Sequence, residues 1–118
     1  MALDLDRIRW DDHDLEKITE MVSRRVAIDV ESGRAVVWSQ LKKGAITPTH
    51  THAGDQWIQV RRGSIAVSVR GVPSVIAEGG SLTVPGGAAH QIEALEDSIV
   101  VDVRDGDVEF GTKVKSQK

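Results

Sequence analysis

Cysteine and tyrosine are both absent from the 118 residues, and phenylalanine occurs once. Without thiols the chain can form no disulfide, no thiolate metal site and no cysteine nucleophile. No apolar run approaches the ~20 residues that span a bilayer as a helix. The opening stretch MALDLDRIRWDDHD is acidic and lacks an apolar signal core. These absences give the expectation of a soluble cytoplasmic protein with no membrane partner. An excess of one charge is missing too. Fifteen basic and 18 acidic residues are mixed along the chain and sum to −3, so no one-sided basic surface offers itself to nucleic acid.

What remains is a chain of one-domain length, 40% hydrophobic, with three tryptophans and eleven glycines. From about residue 20 onward, short β-prone runs alternate with turn signals: MVSRRVAIDV and ESG, RAVVWSQL and KKG, QWIQV and RRG, SIAVSVRG, VPSVIAEGG, SLTVPGG, AAHQIEAL and EDS, then IVVDVRDGD. Eight or more strands at this spacing predict an all-β antiparallel sandwich or barrel in a single domain. An N-terminal segment (1–19) precedes the barrel (20–110), and a polar tail (111–118) follows it. The single helical candidate is 11–22, where Leu15, Ile18, Met21 and Val22 fall at helical spacing, although even-numbered alternation competes there.

Two of the four histidines stand in HTHAGDQ, residues 50 to 56. His13, in the acidic N-terminal stretch, reads as an exposed residue. Around HTHAGDQ the spacing is regular: Gly44, five residues, His50, one residue, His52, three residues, Gln56, six residues, Gly63. A second set runs Gly79, five residues, Pro85, one residue, Gly87, two residues, His90. The two sets resemble the first and second motifs of the cupin superfamily, and the resemblance covers residues of about 33 to 104. It implies a jelly-roll β-barrel of two antiparallel sheets. Two positions depart from the family: cupins usually carry glutamate at Gln56 and asparagine at Ala94.

The spacing also makes physical sense by itself. In an extended strand His50 and His52 point to one face, two residues' rise apart. Their imidazoles can take adjacent vertices of one coordination sphere. Gln56 opens the next strand after the AGD turn, where its amide oxygen can reach the same point, and His90 arrives from the second motif. His50, His52, Gln56 and His90 together predict one divalent transition metal. Imidazole and amide donors suit nickel, zinc, manganese, iron or cobalt. A neutral glutamine leaves the ion its full +2 charge where glutamate would leave +1. That favours Lewis-acid chemistry over oxygen activation.

Alternation assigns other pocket residues. With Gln56 inward, Ile58 and Val60 follow it, and Trp57 and Gln59 face outward. In IVVDVRD either Ile99, Val101 and Val103 face the interior, or Val100, Asp102 and Arg104 do. Sequence slightly favours solvent for Asp102 and Arg104. Trp38 and Gln40 share a face, and either can be a pocket wall. Trp38 can equally pack in a second core between the sheet and the N-terminal segment.

The His, His, Gln, His set is similar to that of the KdgF-type cupins, which convert cyclic 4,5-unsaturated uronates into their linear keto form. Those proteins carry an aspartate in the last barrel strand, within DVF. This resemblance implies Asp102 as the catalytic acid/base. Arg104 stands where the family has an aromatic residue, and the Pro and Arg that follow there are missing. A pocket Arg104 suits a substrate carboxylate.

Three functions follow as expectations. The first is a metal-dependent, non-redox tautomerase, isomerase or lyase acting on a small carboxylate- or carbonyl-bearing molecule, unsaturated uronates included. Asp102 would move the proton, with Arg104, Gln40 and Trp38 contacting substrate. The second is a metal-dependent cupin dioxygenase. The third is a non-catalytic small-molecule-binding cupin. By analogy with small cupins the resemblance also implies a homodimer, with residues 18 to 30 adding to a partner's sheet.

Overall fold

The computed structural model describes residues 5–105. The expected tail, 111–118, lies outside the described residues, as do positions 106–110 of the expected barrel. Nine strands follow two short 3₁₀ turns at Leu5–Arg7 and Trp10–Asp12. They are β1 (Glu16–Lys17), β2 (Val22–Asp29), β3 (Arg34–Leu41), β4 (Gln56–Arg62), β5 (Ser64–Val69), β6 (Val72–Ala77), β7 (Ser81–Val84), β8 (His90–Ala94) and β9 (Ser98–Asp105). A six-stranded sheet in the order β1-β2-β3-β9-β4-β7 faces a three-stranded sheet, β6-β5-β8. Every pairing is antiparallel. The predicted jelly-roll barrel is the structure observed. No helix among the described residues is long and apolar enough to cross a membrane.

Period-two alternation builds the core. In β4, Gln56, Ile58 and Val60 are buried while Trp57 and Gln59 are half-buried. Ile58, Val60, Ile65, Val67, Val84 and Val100 belong to one packed cluster between the sheets. A second cluster lies on the outer face of the large sheet. There Val36, Val101 and Val103 pack under Leu5, Ile8, Trp10, Trp38 and Trp57. Arg25 holds that cover down, with Nη1 donating to the carbonyls of His13 (2.6 Å) and Trp10 (3.4 Å). Its guanidinium carbon sits 5.4 Å from the Trp38 ring. His13 is therefore half-buried rather than exposed, its ring 5.7 Å from Trp10.

The helix considered over 11–22 does not form. The segment turns at Trp10–Asp12, then pairs Glu16 with Arg24 and Lys17 with Ser23 at the sheet edge. Leu15, Ile18 and Met21 stay largely exposed, so no second layer receives the apolar stripe that would stabilise a helix.

Candidate metal centre

His50 and His52 lie in the connection between β3 and β4, and His90 opens β8. Hydrogen bonds join the two motifs. His50 N–H donates to the His90 carbonyl (3.1 Å), and His90 N–H donates to that of His50 (3.0 Å). Gly87 N–H reaches the His52 carbonyl at 2.7 Å, and Gly86 N–H reaches Asp55 Oδ1 at 2.8 Å. Gly86 also permits the close approach itself, since a Cβ there would strike the Ala53 carbonyl oxygen. Neither Gly86 nor Asp55 was singled out from sequence. The PGG turn beside the histidine motif was their visible signal.

The three imidazoles converge, with ring centroids 4.7 Å apart for His50 and His52, 4.4 Å for His50 and His90, and 5.0 Å for His52 and His90. One ring nitrogen from each falls within 4.8 Å of the others. Backbone carbonyls fix two tautomers. His50 Nδ1 lies 2.7 Å from the Pro48 carbonyl and His90 Nδ1 lies 3.0 Å from that of Ala88. A carbonyl only accepts, so both Nδ1 atoms carry the hydrogen and both Nε2 atoms keep their lone pairs. Gln56 is 2% exposed. Its Oε1 is buried and makes no hydrogen bond. An amide oxygen left in that state costs free energy unless something accepts its lone pair. The three imidazoles form a donor set that fits a divalent transition metal, and Gln56 lines the same cavity as His50.

The last strand settles the face that alternation left open. Val100, Asp102 and Arg104 point inward, and Val101 and Val103 point under the N-terminal cover. The solvent placement favoured from sequence for Asp102 and Arg104 is thus corrected. Their side chains are only 8% and 11% exposed. Arg104 Nε donates to Asp102 Oδ1 at 3.1 Å and Nη2 approaches Oδ2 at 3.4 Å. Nη1 lies 2.9 Å from His52 Nε2. A guanidinium only donates, so Nε2 of His52 is the acceptor there.

A cavity of about 300 Å³ opens onto His50, Gln56, Asp102 and Arg104. Val37, Ile92 and Val100 give it apolar walls, and Ile18 and Val22 border it. Two residues of the supposed helix therefore shape the pocket. Arg24 also lines it, with Nε 3.0 Å from Glu16 Oε1, and was not foreseen because its strand reads as mixed polar and apolar. A larger depression of about 540 Å³ lies beyond β4 and β9 against Leu5, Arg34 and Trp57. It shares Arg104 but none of the three histidines or Gln56. Trp38 and Gln40 do not join the site. Interior positions on β3 are Val37, Ser39 and Leu41, so the even-numbered residues face away. Trp38 packs in the outer cluster, and Gln40 borders a separate depression with Glu20 and Arg62.

Comparison with known proteins matches residues 30–107 to the family model described as "Cupin domain". No curated protein matches. Among solved structures, KdgF from Halomonas sp. superposes with a TM-score of 0.71 at 26% identity, over 79% of this chain and 86% of that one. An RmlC-like cupin from Shewanella frigidimarina NCIMB 400 gives 0.76 at 24% identity, over 85% and 90%, a likeness of fold. Bacillus subtilis oxalate decarboxylase, described with Mn(II) centres, gives 0.71 at 26% identity over 83% of this chain but only 28% of its own.

Proposed function

The chain belongs to the cupin domain family, and from that footing we propose that it is a metal-dependent, non-redox enzyme, a tautomerase, isomerase or lyase. Its substrate is a small molecule bearing a carboxylate or carbonyl, and unsaturated uronates are the first class to try. The observation that carries this reading is the convergence of three imidazoles, with the buried Gln56 Oε1 in the cavity that His50 lines. No residue of that set brings negative charge. When bound, a divalent metal held by His50, His52, Gln56 and His90 supplies a Lewis acid for a substrate oxygen.

The chain's own residues do the rest. Asp102 is the buried carboxylate lining the cavity, and it takes a proton from an enolic oxygen and returns one to carbon. Such a shift moves one proton and changes no oxidation state. Arg104 pairs with Asp102, and a second guanidinium, Arg24, itself paired with Glu16, lines the same cavity. An anionic substrate suits that lining. The likeness to KdgF supports the uronate choice.

The test adds metal-reconstituted protein to lyase-digested pectin and alginate and follows the ultraviolet absorbance of the unsaturated uronates. A chelator-sensitive loss is expected. Steady absorbance at full metal occupancy would remove the uronate substrate, and oxygen uptake by iron-loaded protein would favour the dioxygenase reading. The same proposal takes the protein as a homodimer. Among the described residues β1 pairs only with Ser23 and Arg24, leaving the outer edge of the rest of β2 for a second copy. Light scattering should then give about twice the 12.8 kDa chain mass.

A further inference from the structure

We infer that Arg104 is a built-in stand-in for the metal: its guanidinium and a divalent ion compete for Nε2 of His52, so loading the site moves Arg104 off that ring. The inference rests on the metal reading above. His50 and His90 have their Nδ1 hydrogens committed to the Pro48 and Ala88 carbonyls, which makes Nε2 the lone-pair nitrogen of each ring. The Nε2 lone pair of His52 receives Arg104 Nη1 at 2.9 Å. One lone pair cannot serve a guanidinium hydrogen and a metal together.

The guanidinium does not reach His52 by chance. Its Nε and Nη2 are held on Asp102 at 3.1 and 3.4 Å, so the planar group is aimed by two contacts before the third is made. Arg104 and Asp102 stand two residues apart on β9 and share its inward face. Ala35 lies opposite Arg104 on β3. The cavity that Arg104 lines gives the displaced group somewhere to go. In that position the cation faces the space where a substrate carboxylate would lie. Metal binding would thus convert Arg104 from a contact of His52 into a contact for substrate.

The test measures affinity rather than turnover. Zinc and nickel affinities of the full chain are read by chelator competition for wild type, Arg104→Met, Asp102→Asn and the double variant. Arg104→Met keeps the side chain's bulk and removes the charge and the donors. It should bind zinc at least about tenfold more tightly than wild type, on the scale by which contacts around a ligand alter affinity. The double variant should likewise bind more tightly than Asp102→Asn, which separates loss of the competitor from exposure of the Asp102 charge. Equal or weaker binding in both comparisons overturns the inference and leaves the metal site standing. Failure of every protein, wild type included, to bind either metal overturns both. If Arg104→Met does not fold, zinc titration of wild type followed by NMR of the Arg104 side chain decides. Its resonances should move as zinc fills the site, and unchanged resonances at full occupancy overturn the inference.

Discussion

His50 and His90 exchange a pair of main-chain hydrogen bonds, 3.1 and 3.0 Å, and each turns its Nδ1 hydrogen onto the carbonyl two residues before it. Two distant stretches of sequence thus present their rings in the same way. The backbone, rather than the side chains, sets the distance between these donors. Outer contacts of this kind orient a ligand and strengthen it. Replacing His50 or His90 by alanine should lower zinc affinity by more than the ~100-fold upper end seen for losing such an outer contact. Calorimetric titration checks this, and wild-type affinity in either variant would place the metal elsewhere.

Gln56→Glu is expected to separate stability from loading. A carboxylate at a position 2% exposed is costly without an ion and welcome with one. The metal-free variant should melt below wild type, and zinc should raise its midpoint more than it raises that of wild type, with the two increments differing by more than about 5 °C. Its Lewis acidity, and with it the rate on a carbonyl substrate, should fall. Equal zinc-induced shifts in the two proteins would mean that residue 56 does not touch the ion.

Asp102→Asn should cost about 10²–10⁴ in rate if the carboxylate moves the proton, while zinc still binds. The substitution also removes the partner of a charge pair only 8% and 11% exposed. Breaking such a buried pair costs about 3–5 kcal/mol, which urea unfolding of the metal-free protein would read. A rate within a few-fold of wild type would take Asp102 out of the chemistry and leave it as the seat of Arg104.

Gly86→Ala tests how the two motifs are joined. The added methyl meets the Ala53 carbonyl oxygen, one residue past His52, and backbone must move to admit it. Destabilisation of about 1–3 kcal/mol is expected, as for other overpacked sites, together with weaker zinc binding. A stability loss with unchanged zinc affinity would show that the loop relaxes away from His52.

Much of this architecture could be read from residue order. Gln56, Ile58 and Val60 face inward as alternation in QWIQV required, because that strand has one dry face and one half-wet face. The histidine and glycine spacings identified the family for the same reason that they hold the ligand rings together. The face of β9 could not be read. Val100 lies under the barrel and Val101 under the tryptophan cover, so both faces are dry and hydrophobicity stops distinguishing them. Trp38 was ambiguous on the same grounds, and the cover over it comes from residues 5 to 10, far away in sequence. The stripe Leu15, Ile18, Met21 misled because helical spacing carries no weight without a surface to bury it.

The order of strands in the large sheet also governs how a nascent chain acquires this site. β3 and β4 are synthesised long before β9, yet β9 lies between them and pairs with both. Until Ser98–Asp105 leaves the ribosome, two inner strands wait with unsatisfied edges, a state that invites chaperone binding or misassociation. The histidines are by then already made, while the wall bearing Asp102 and Arg104 is still to come. The three imidazoles can therefore gather early, but Asp102 and Arg104 enter together, in the step that closes the sheet.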